Sequence, residues 1–172
     1  MPGDPVVAWR FPDDRMCSMT SISGEQQQWC GMGWTGQPAV FERGGRTWVV
    51  FGAYDAALHF VDGETGERLL PDFSTGDIIK GSVTVDPDGY PLVYAGSRDD
   101  RLRVLAFDRD EPVELWSLHA YDVEPTMWNN DWDSSPLVLD DHLFAGGENS
   151  RFHVVRLNRD RKSTRLNSSH TS

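Results

Sequence analysis

Three stretches of the chain can be aligned with one another, and this internal repeat restricts the fold more than any other feature. Each stretch contains two short apolar segments around a polar turn, and the second segment ends in glycine at Gly52, Gly96 and Gly146. These glycines are 44 and 50 residues apart. A repeat of about 40 to 50 residues built from short strands is typical of propeller-type arrays. One small sheet cannot bury both of its faces alone, so the repeated units are expected to stack.

Four strands are predicted in each unit. In the second unit they span residues 82–85, 92–96, 101–107 and 113–118, which are rich in β-branched and aromatic residues and are separated by Gly, Pro and Asp. Asp88-Gly89 is a hairpin signal between the first two strands. No segment keeps a period of 3.6 over a dozen residues. The sequence therefore predicts an all-β chain of four-stranded antiparallel blades that form part of a β-propeller.

A known motif stands at the ends of the units. Its pattern is Ala-x-Asp-x-x-Thr-Gly-x-x-x-Trp, and the residues that match it are Ala106, Asp108 and Trp116 in one unit and Asp62, Thr65 and Gly66 in another. On these residues, the chain resembles bacterial PQQ-like (pyrroloquinoline quinone-type) β-propeller repeat proteins across residues 34–158. It departs from the pattern at Phe60 and Leu70, where the motif has Ala and Trp. The family includes many propellers that bind no quinone.

The matching residues have structural roles in this interpretation. Asp62 and Thr65 can bond the local backbone and Gly66 can adopt a positive φ, so this segment predicts a tight turn. The resemblance implies that Trp116 docks one blade on the next, where its large side chain is buried between neighbouring sheets.

The two ends of the chain differ from the repeat. Residues 160–170 match a translated sequencing adapter residue for residue, and we interpret residues 160–172 as an artefactual tail. Residues 34–159 are expected to form about three blades of an incomplete propeller. Residues 1–33 are expected to be the end of a preceding blade, with a docking Trp at Trp9, followed by a polar loop between two cysteines. We therefore expect a fragment of a longer protein.

Charge and hydropathy exclude some partners. The chain has 16 Lys and Arg against 27 Asp and Glu, a net charge of −11. An acidic chain of this kind repels nucleic acid and anionic membranes. No run of about 18 apolar residues is present, so no membrane span is predicted. The composition fits a periplasmic, secreted or cell-surface module.

Cys17 and Cys30 are the two cysteines. Because they flank a short polar segment, they are candidates for a disulfide, which would imply an oxidising compartment. Two reduced structural thiols are the alternative. A zinc site would need further Cys or His ligands nearby, so no metal is predicted there.

The repeat is interrupted before the third unit. Pro38 and Ser82 are 44 residues apart, whereas Ser82 and Pro136 are 54 apart. The extra residues fall in residues 120–131, a crossing between units. Its end, up to residue 133, is rich in aromatic, amide and carboxylate groups, namely Trp128, Asn129, Asn130, Asp131, Trp132 and Asp133. In PQQ-like propellers such crossings lie beside the central channel, so the resemblance implies a ligand site there for a sugar, a hard cation or a planar cofactor. Alternatively, Trp132 is a packing residue like Trp34, and the acids are solvated turn residues.

A second polar cluster follows Gly146. Glu148, Asn149 and Arg151 correspond to Tyr54-Asp55 and Arg98-Asp99 in the other units, and this repetition favours exposed turns over a site. His59, Arg103 and His153 occupy equivalent strand positions on successive units, which speaks against a shared metal. No nucleophile elbow, P-loop or zinc-protease motif is present.

Two classes of function remain. The favoured hypothesis is an exported, non-catalytic propeller that acts as a scaffold or binds a protein, a small molecule or a glycan at its channel, with no catalytic residues and no cofactor. The alternative, implied by the resemblance, is a dehydrogenase that uses PQQ and calcium, in which Asp131 or Asp133 could be the base. A glycan-binding propeller is a further alternative.

Overall fold

The computed structural model describes residues 3–33, 36–123 and 129–159. The first element is a hairpin of two antiparallel strands, β1 (Cys17–Ile22) and β2 (Glu25–Cys30). The polar loop predicted between the cysteines is therefore wrong, because its residues pair as strands. The turn at Ser23 and Gly24, both with positive φ, reverses the chain and permits this pairing.

Two four-stranded antiparallel sheets follow. The first contains β3 (Ala39–Arg43), β4 (Arg46–Gly52), β5 (Ala57–Asp62) and β6 (Phe73–Ser74), in that spatial order. The second contains β7 (Thr84–Val85), β8 (Leu92–Gly96), β9 (Arg101–Ala106) and β10 (Val113–His119), again in sequence order. A short 3₁₀ helix, Ala120–Asp122, ends this unit.

The third sheet has three strands among the described residues. They are β11 (Leu137–Leu139), β12 (His142–Gly147) and β13 (Arg151–Arg156). The predicted all-β fold with antiparallel four-stranded sheets is confirmed, and the strand limits in the second unit agree with the prediction to within two residues. Within the described ranges, no helix is long and apolar enough to span a membrane.

The sheets pack face to face in chain order. One buried cluster joins Leu58 and Phe60 of the first sheet to Val93 and Leu105 of the second. A second cluster joins the opposite face of the second sheet to the third. Successive side chains of a strand point to opposite faces, so the second sheet can bury both of its faces only between two neighbours. Burial of each such side chain contributes about 1.5–3 kcal/mol.

The segment before the hairpin covers the outer face of the first sheet. It forms no strand between Val6 and Phe11, although the sequence predicts the end of a preceding blade there. The Trp9 indole nevertheless lies against Gly66 and donates a hydrogen bond to the Gly63 carbonyl oxygen at 3.0 Å. Phe11 packs edge-on against Phe51, with ring centroids 5.9 Å apart.

The residues of the blade-end motif occupy turn and packing positions. The Asp62 carboxylate accepts hydrogen bonds from the backbone N–H groups of Glu64 and Thr65, at 2.9 and 3.1 Å, and Gly66 has a φ of 75°. Ala106 is fully buried, and Trp116 is half-buried against the cluster between the second and third sheets. Asp108 is exposed. Trp34, Trp128 and the predicted tail of residues 160–172 lie outside the described residues.

Candidate functional site

The segment before the third sheet lies between two hairpin turns. The Trp132 backbone N–H donates to the Ser97 carbonyl oxygen at 3.3 Å, in the turn after β8. The Asp131 carbonyl oxygen accepts from the Glu148 N–H at 3.0 Å, in the turn after β12. We call the described part of this segment, residues 129–133, the inserted segment. It brings its acidic side chains to the turns of two successive sheets.

Arg98 connects three parts of the chain at this point. Its Nε donates to Asp131 Oδ2 at 2.6 Å, and the Asp131 side chain is buried whereas that of Arg98 is partly buried. Its Nη1 donates to the Thr20 hydroxyl at 3.0 Å and its Nη2 to the Ser21 carbonyl oxygen at 3.1 Å. One guanidinium thus holds the hairpin of β1 and β2 against the inserted segment.

Asn129 extends this network to the third sheet. Its side-chain amide donates to Asp131 Oδ2 and to Glu148 Oε2, both at 2.8 Å. Two carboxylates that repel each other are therefore joined by one amide group. We call Lys80, Arg98, Asn129, Asp131, Asp133 and Glu148 the polar cluster.

Asp133 has a different partner. Its Oδ2 accepts a hydrogen bond from Lys80 Nζ at 2.7 Å. Its Oδ1 is buried and has no hydrogen-bond partner within the described part of the chain. The Lys80 ammonium also lies 5.7 Å from the Trp29 ring centroid, so it contacts the hairpin as well.

The cluster carries three carboxylates and two cations. Burial raises the pKa of the Asp131 carboxyl, and the nearby charge of Asp133 adds to this effect, although Arg98 opposes it. Burial likewise raises the pKa of Asp133, against the influence of Lys80. Burial alone would lower the pKa of Arg98, but Asp131 raises it above its ordinary value. The arrangement therefore keeps Arg98 charged and makes both aspartates easier to protonate.

A polar cleft of 480 Å³ opens beside these groups. One wall is the tip of the hairpin and the other belongs to the polar cluster, and the lining residues are Ser21, Ser23, Gly24, Asp77, Arg98, Asn129 and Asp131. Its volume lies within the range of small-molecule sites, about 300–1,000 Å³. Hydroxyl, amide and backbone groups of this kind suit a polar ligand that exchanges hydrogen bonds with them.

Cys17 and Cys30 form a disulfide at the base of this hairpin. The bond joins the two strands at the end of the hairpin opposite the tip that lines the cleft. The cysteines and the cleft therefore belong to one structural unit, a connection that the sequence did not reveal.

The Trp132 side chain does not offer the exposed aromatic face that a ligand could stack on. This side chain is 1% exposed, packs in the core between the second and third sheets, and donates its indole N–H to the Asp100 carbonyl oxygen at 3.0 Å. Its position matches the packing interpretation. Asn130 is half-buried and does not line the cleft. Asp131 is 4% exposed and paired, so it is not the solvated turn residue of the alternative.

The polar residues of the β-hairpin turns are more buried than the sequence suggests. Tyr54, Arg98 and Glu148 are related by the 44- and 50-residue repeat, and the sequence favoured exposed turns here. In fact the Tyr54 N–H donates to the Gly31 carbonyl oxygen, while Arg98 and Glu148 belong to the polar cluster. The exposed-turn interpretation is wrong for these positions, because the hairpin and the inserted segment pack over them.

The next repeated position forms a side-chain pair in each sheet. Asp55 pairs with His59, Asp99 with Arg103, and Asn149 with His153, in each case four residues apart. Burial alone would lower the pKa of His59, but Asp55 and Asp72 together raise it above its usual value. Burial lowers the pKa of His153, which lacks a carboxylate partner among these pairs. The three pairs lie on successive sheets and form no common metal site.

The polar cluster contains carboxylate oxygens, which are the ligands that calcium prefers. Carboxylate oxygens of Asp131, Asp133 and Glu148 lie within 4.8 Å of one another. However, Arg98 and Lys80 already neutralise two of these carboxylates. A hard cation would have to compete with both side-chain cations for the oxygens of Asp131 and Asp133.

The described residues of the inserted segment also fit PQQ poorly. A flat quinone needs an exposed aromatic face on which to stack, and Trp132 is enclosed in the core. Trp128, the other candidate, lies outside the described residues. The geometry therefore supports no step through a bound quinone.

Among known proteins, similarity to this chain is found in structure and not in sequence. No family model matches the sequence, and no curated protein matches it. Among solved structures, the chain is similar to "The crystal structure of BamB from Moraxella catarrhalis", with a TM-score of 0.35 and 16% sequence identity. The match covers 76% of this chain and 60% of that chain. The chain thus spans less than two thirds of that protein's length.

Proposed function

We propose that this chain is part of a non-catalytic, exported β-propeller, with about three blades in residues 34–159, and that it binds a polar ligand in the cleft beside the polar cluster. One observation carries the proposal: the guanidinium of Arg98, in the turn after β8, donates hydrogen bonds both to the hairpin and to the inserted segment. A cleft whose walls are fixed in this way is preorganised, which lowers the entropic cost of binding.

The pairing of the charges supports a binding role rather than catalysis. Asp131 and Asp133 each accept a hydrogen bond from a cation, and Asn129 links Asp131 to Glu148. A general base or nucleophile needs an oxygen that can reach a substrate. The oxygens that are paired here serve instead to position the walls of the cleft.

The lining of the cleft suggests the chemistry of the ligand. The hydroxyl groups of Ser21 and Ser23, the amide of Asn129 and the carboxylate of Asp77 can exchange hydrogen bonds with hydroxyl-rich molecules. A mono- or disaccharide is therefore the ligand class that we favour. The disulfide supports a location in an oxidising compartment such as the periplasm or the cell exterior.

Two neighbouring asparagines provide a matched test. Asn129 lines the cleft and Asn130 does not. We would titrate a panel of mono- and disaccharides into the wild type, Asn129→Ala and Asn130→Ala by calorimetry. We expect binding to weaken at least tenfold in Asn129→Ala and to stay unchanged in Asn130→Ala. Equal affinity in both variants, or no binding to the folded wild type, would contradict the proposed site.

A second measurement distinguishes the proposed binding protein from a quinone-dependent dehydrogenase. The wild type would be mixed with PQQ and Ca²⁺, and the reduction of an artificial electron acceptor would be followed with alcohols and aldoses as substrates. We expect no turnover above the protein-free control. Turnover that is lost in Asp131→Asn or Asp133→Asn would show that the chain is an enzyme.

A further inference from the structure

Three charged side chains line the cleft beside the polar cluster: Asp77, Arg98 and Asp131. Arg98 and Asp131 form an ion pair with each other, and the other two nitrogens of the guanidinium donate to the hairpin. Asp77 forms no ion pair with a described residue, and its carboxylate accepts one hydrogen bond, from the Ile78 backbone N–H to Oδ1 at 2.7 Å. Asp77 is therefore the charge in this lining that remains available to a ligand.

The surroundings of the cleft carry more negative than positive charge. The two cations of the polar cluster each pair with one aspartate. Asp77, Asp100 and Glu148 form no ion pair with a described residue, although Glu148 accepts a hydrogen bond from Asn129. Burial raises the pKa of the Asp100 carboxyl, and the nearby charges of Asp131 and Asp77 add to this effect. The field inside the cleft is therefore negative, and it favours a cationic group over a neutral or an anionic one.

The remaining lining groups are neutral. The hydroxyl groups of Ser21 and Ser23 and the amide of Asn129 suit the hydroxyl groups of a sugar. Building on the proposed function, we infer that the sugar bound in the cleft is an amino sugar whose free, protonated amino group pairs with the Asp77 carboxylate. An ammonium donates charge-assisted hydrogen bonds to a carboxylate, and these are roughly twice as strong as hydrogen bonds between neutral groups.

The exposure of Asp77 sets the size of the expected selectivity. This residue is partly exposed, so its pairing with an ammonium is stabilised less than that of a fully buried pair. We expect an amino sugar to bind about tenfold more tightly than the neutral sugar of the same ring, a difference of about 1.4 kcal/mol. Salt should reduce this ratio, because the Debye length falls from about 10 Å at 0.1 M to about 3 Å at 1 M.

Four forms of one hexose separate the effect of charge from that of size. They are the neutral sugar, its 2-amino form, the N-acetylated amino form and the uronic acid. The hexose is the one that binds best in the neutral panel, or glucose if none binds measurably. Calorimetry with the full chain at about pH 6, where a free amino group is protonated, should rank the amino form first. The N-acetylated form should resemble the neutral sugar, and the uronic acid should bind most weakly.

Two variants locate the source of the preference. Asp77→Asn removes the charge but keeps an oxygen that can accept from the Ile78 N–H. It should lower the ratio of the affinities for the amino and neutral forms from about ten to about one. Asp110→Asn is the matched control, because Asp110 is exposed in the turn between β9 and β10, at the opposite end of β9 from Arg98. It changes the net charge by the same amount and should leave the ratio unchanged. Near-UV circular dichroism reports on the fold of each variant.

Several results would overturn the inference. Equal affinity for the amino and neutral forms would do so while leaving the proposed binding site intact. A ratio that is unaffected by Asp77→Asn, or lowered equally by Asp110→Asn, would show that Asp77 does not select the ligand. Tightest binding of the uronic acid would assign the selection to Arg98. Equally tight binding of N-acetyl-lysine amide would show that an ammonium group alone is recognised, as on a lysine of a protein partner. No binding of any of the sugars to the folded wild type would overturn the proposed function as well.

Discussion

Gly96 offers a direct test of how the sheets fit together. A Cβ atom at this position would lie 2.3 Å from the Trp132 carbonyl oxygen and 2.5 Å from its Cβ. Real Cβ atoms do not approach other atoms so closely, and the blocking atoms belong to the backbone and the base of a buried side chain. Gly96→Ala must therefore push the inserted segment away from the second sheet.

The magnitude follows from two opposing effects. Overpacking of a well-packed core costs about 1–3 kcal/mol, and the rigid neighbours at this site favour the upper half of that range. Alanine also lowers the entropy of the unfolded chain, which stabilises the fold by about 0.4–1 kcal/mol. We expect a net loss of about 1–2.5 kcal/mol. For a chain of 172 residues this corresponds to a Tm lower by roughly 2–10 °C.

The repeat supplies the control. Gly146 occupies the equivalent position in the third sheet, but the nearest atom to a Cβ there is Ser134 Cβ, at 3.9 Å. Gly146→Ala should therefore keep or slightly raise the stability. Denaturant unfolding of both variants, followed by tryptophan fluorescence, measures the difference. Equal stability of Gly96→Ala and wild type, or equal losses in the two variants, would refute the packing described here.

Three further predictions concern buried polar contacts. Asp55 and Asp72 raise the pKa of His59 above its ordinary value of about 6.5. The stabilising contribution of His59 is therefore complete below this pH and is lost as the pH rises through the folded pKa. Stability curves from pH 5 to 9 should thus fall more steeply for wild type than for His59→Gln, and parallel curves would contradict this ionisation. Replacing Cys17 and Cys30 by Ser should lower the free energy of unfolding of the hairpin by about 3 kcal/mol, which would be measured as faster amide exchange in its two strands. Unchanged exchange would show that the disulfide adds no constraint. Arg98→Met should lower the free energy of unfolding by about 3–5 kcal/mol, because it leaves Asp131 buried without its cation. Denaturant unfolding of the double variant with Asp131→Asn should show that part of this stability is regained.

The repeat explains why the fold could be predicted from the sequence. Short strands and turn residues can be recognised from the residues next to them in sequence, and each of the three units carries these signals at a similar spacing. Strand β8, for example, has exactly the predicted limits. The hairpin of β1 and β2 was missed because its strands are polar, with buried Thr20 facing one side. Polar strands lack the alternation of apolar residues on which such predictions depend.

The candidate site was predicted only in part. The inserted segment was identified by its length and composition, and Asn129, Asp131 and Asp133 do belong to the polar cluster. Lys80 was missed and Arg98 was assigned to an exposed turn, since the two lie in different connections and meet the inserted segment only after the sheets have packed. For Trp132 the sequence left a ligand-facing role and a packing role open, because composition does not show which side of a segment is buried.

A signal for the missing residues does exist in the repeat itself. Tyr54, Arg98 and Glu148 stand at one repeated position, and all three contact either the hairpin or the inserted segment. Their chemistry differs completely, as an aromatic ring, a cation and an anion, although the neighbouring strands keep the same pattern. Positions that share a place in the fold but differ in chemistry are not needed for stacking of the sheets, so they are free to build a site. In a stacked array of this kind, comparison of equivalent turn positions should locate binding residues better than a search for a motif that all units share.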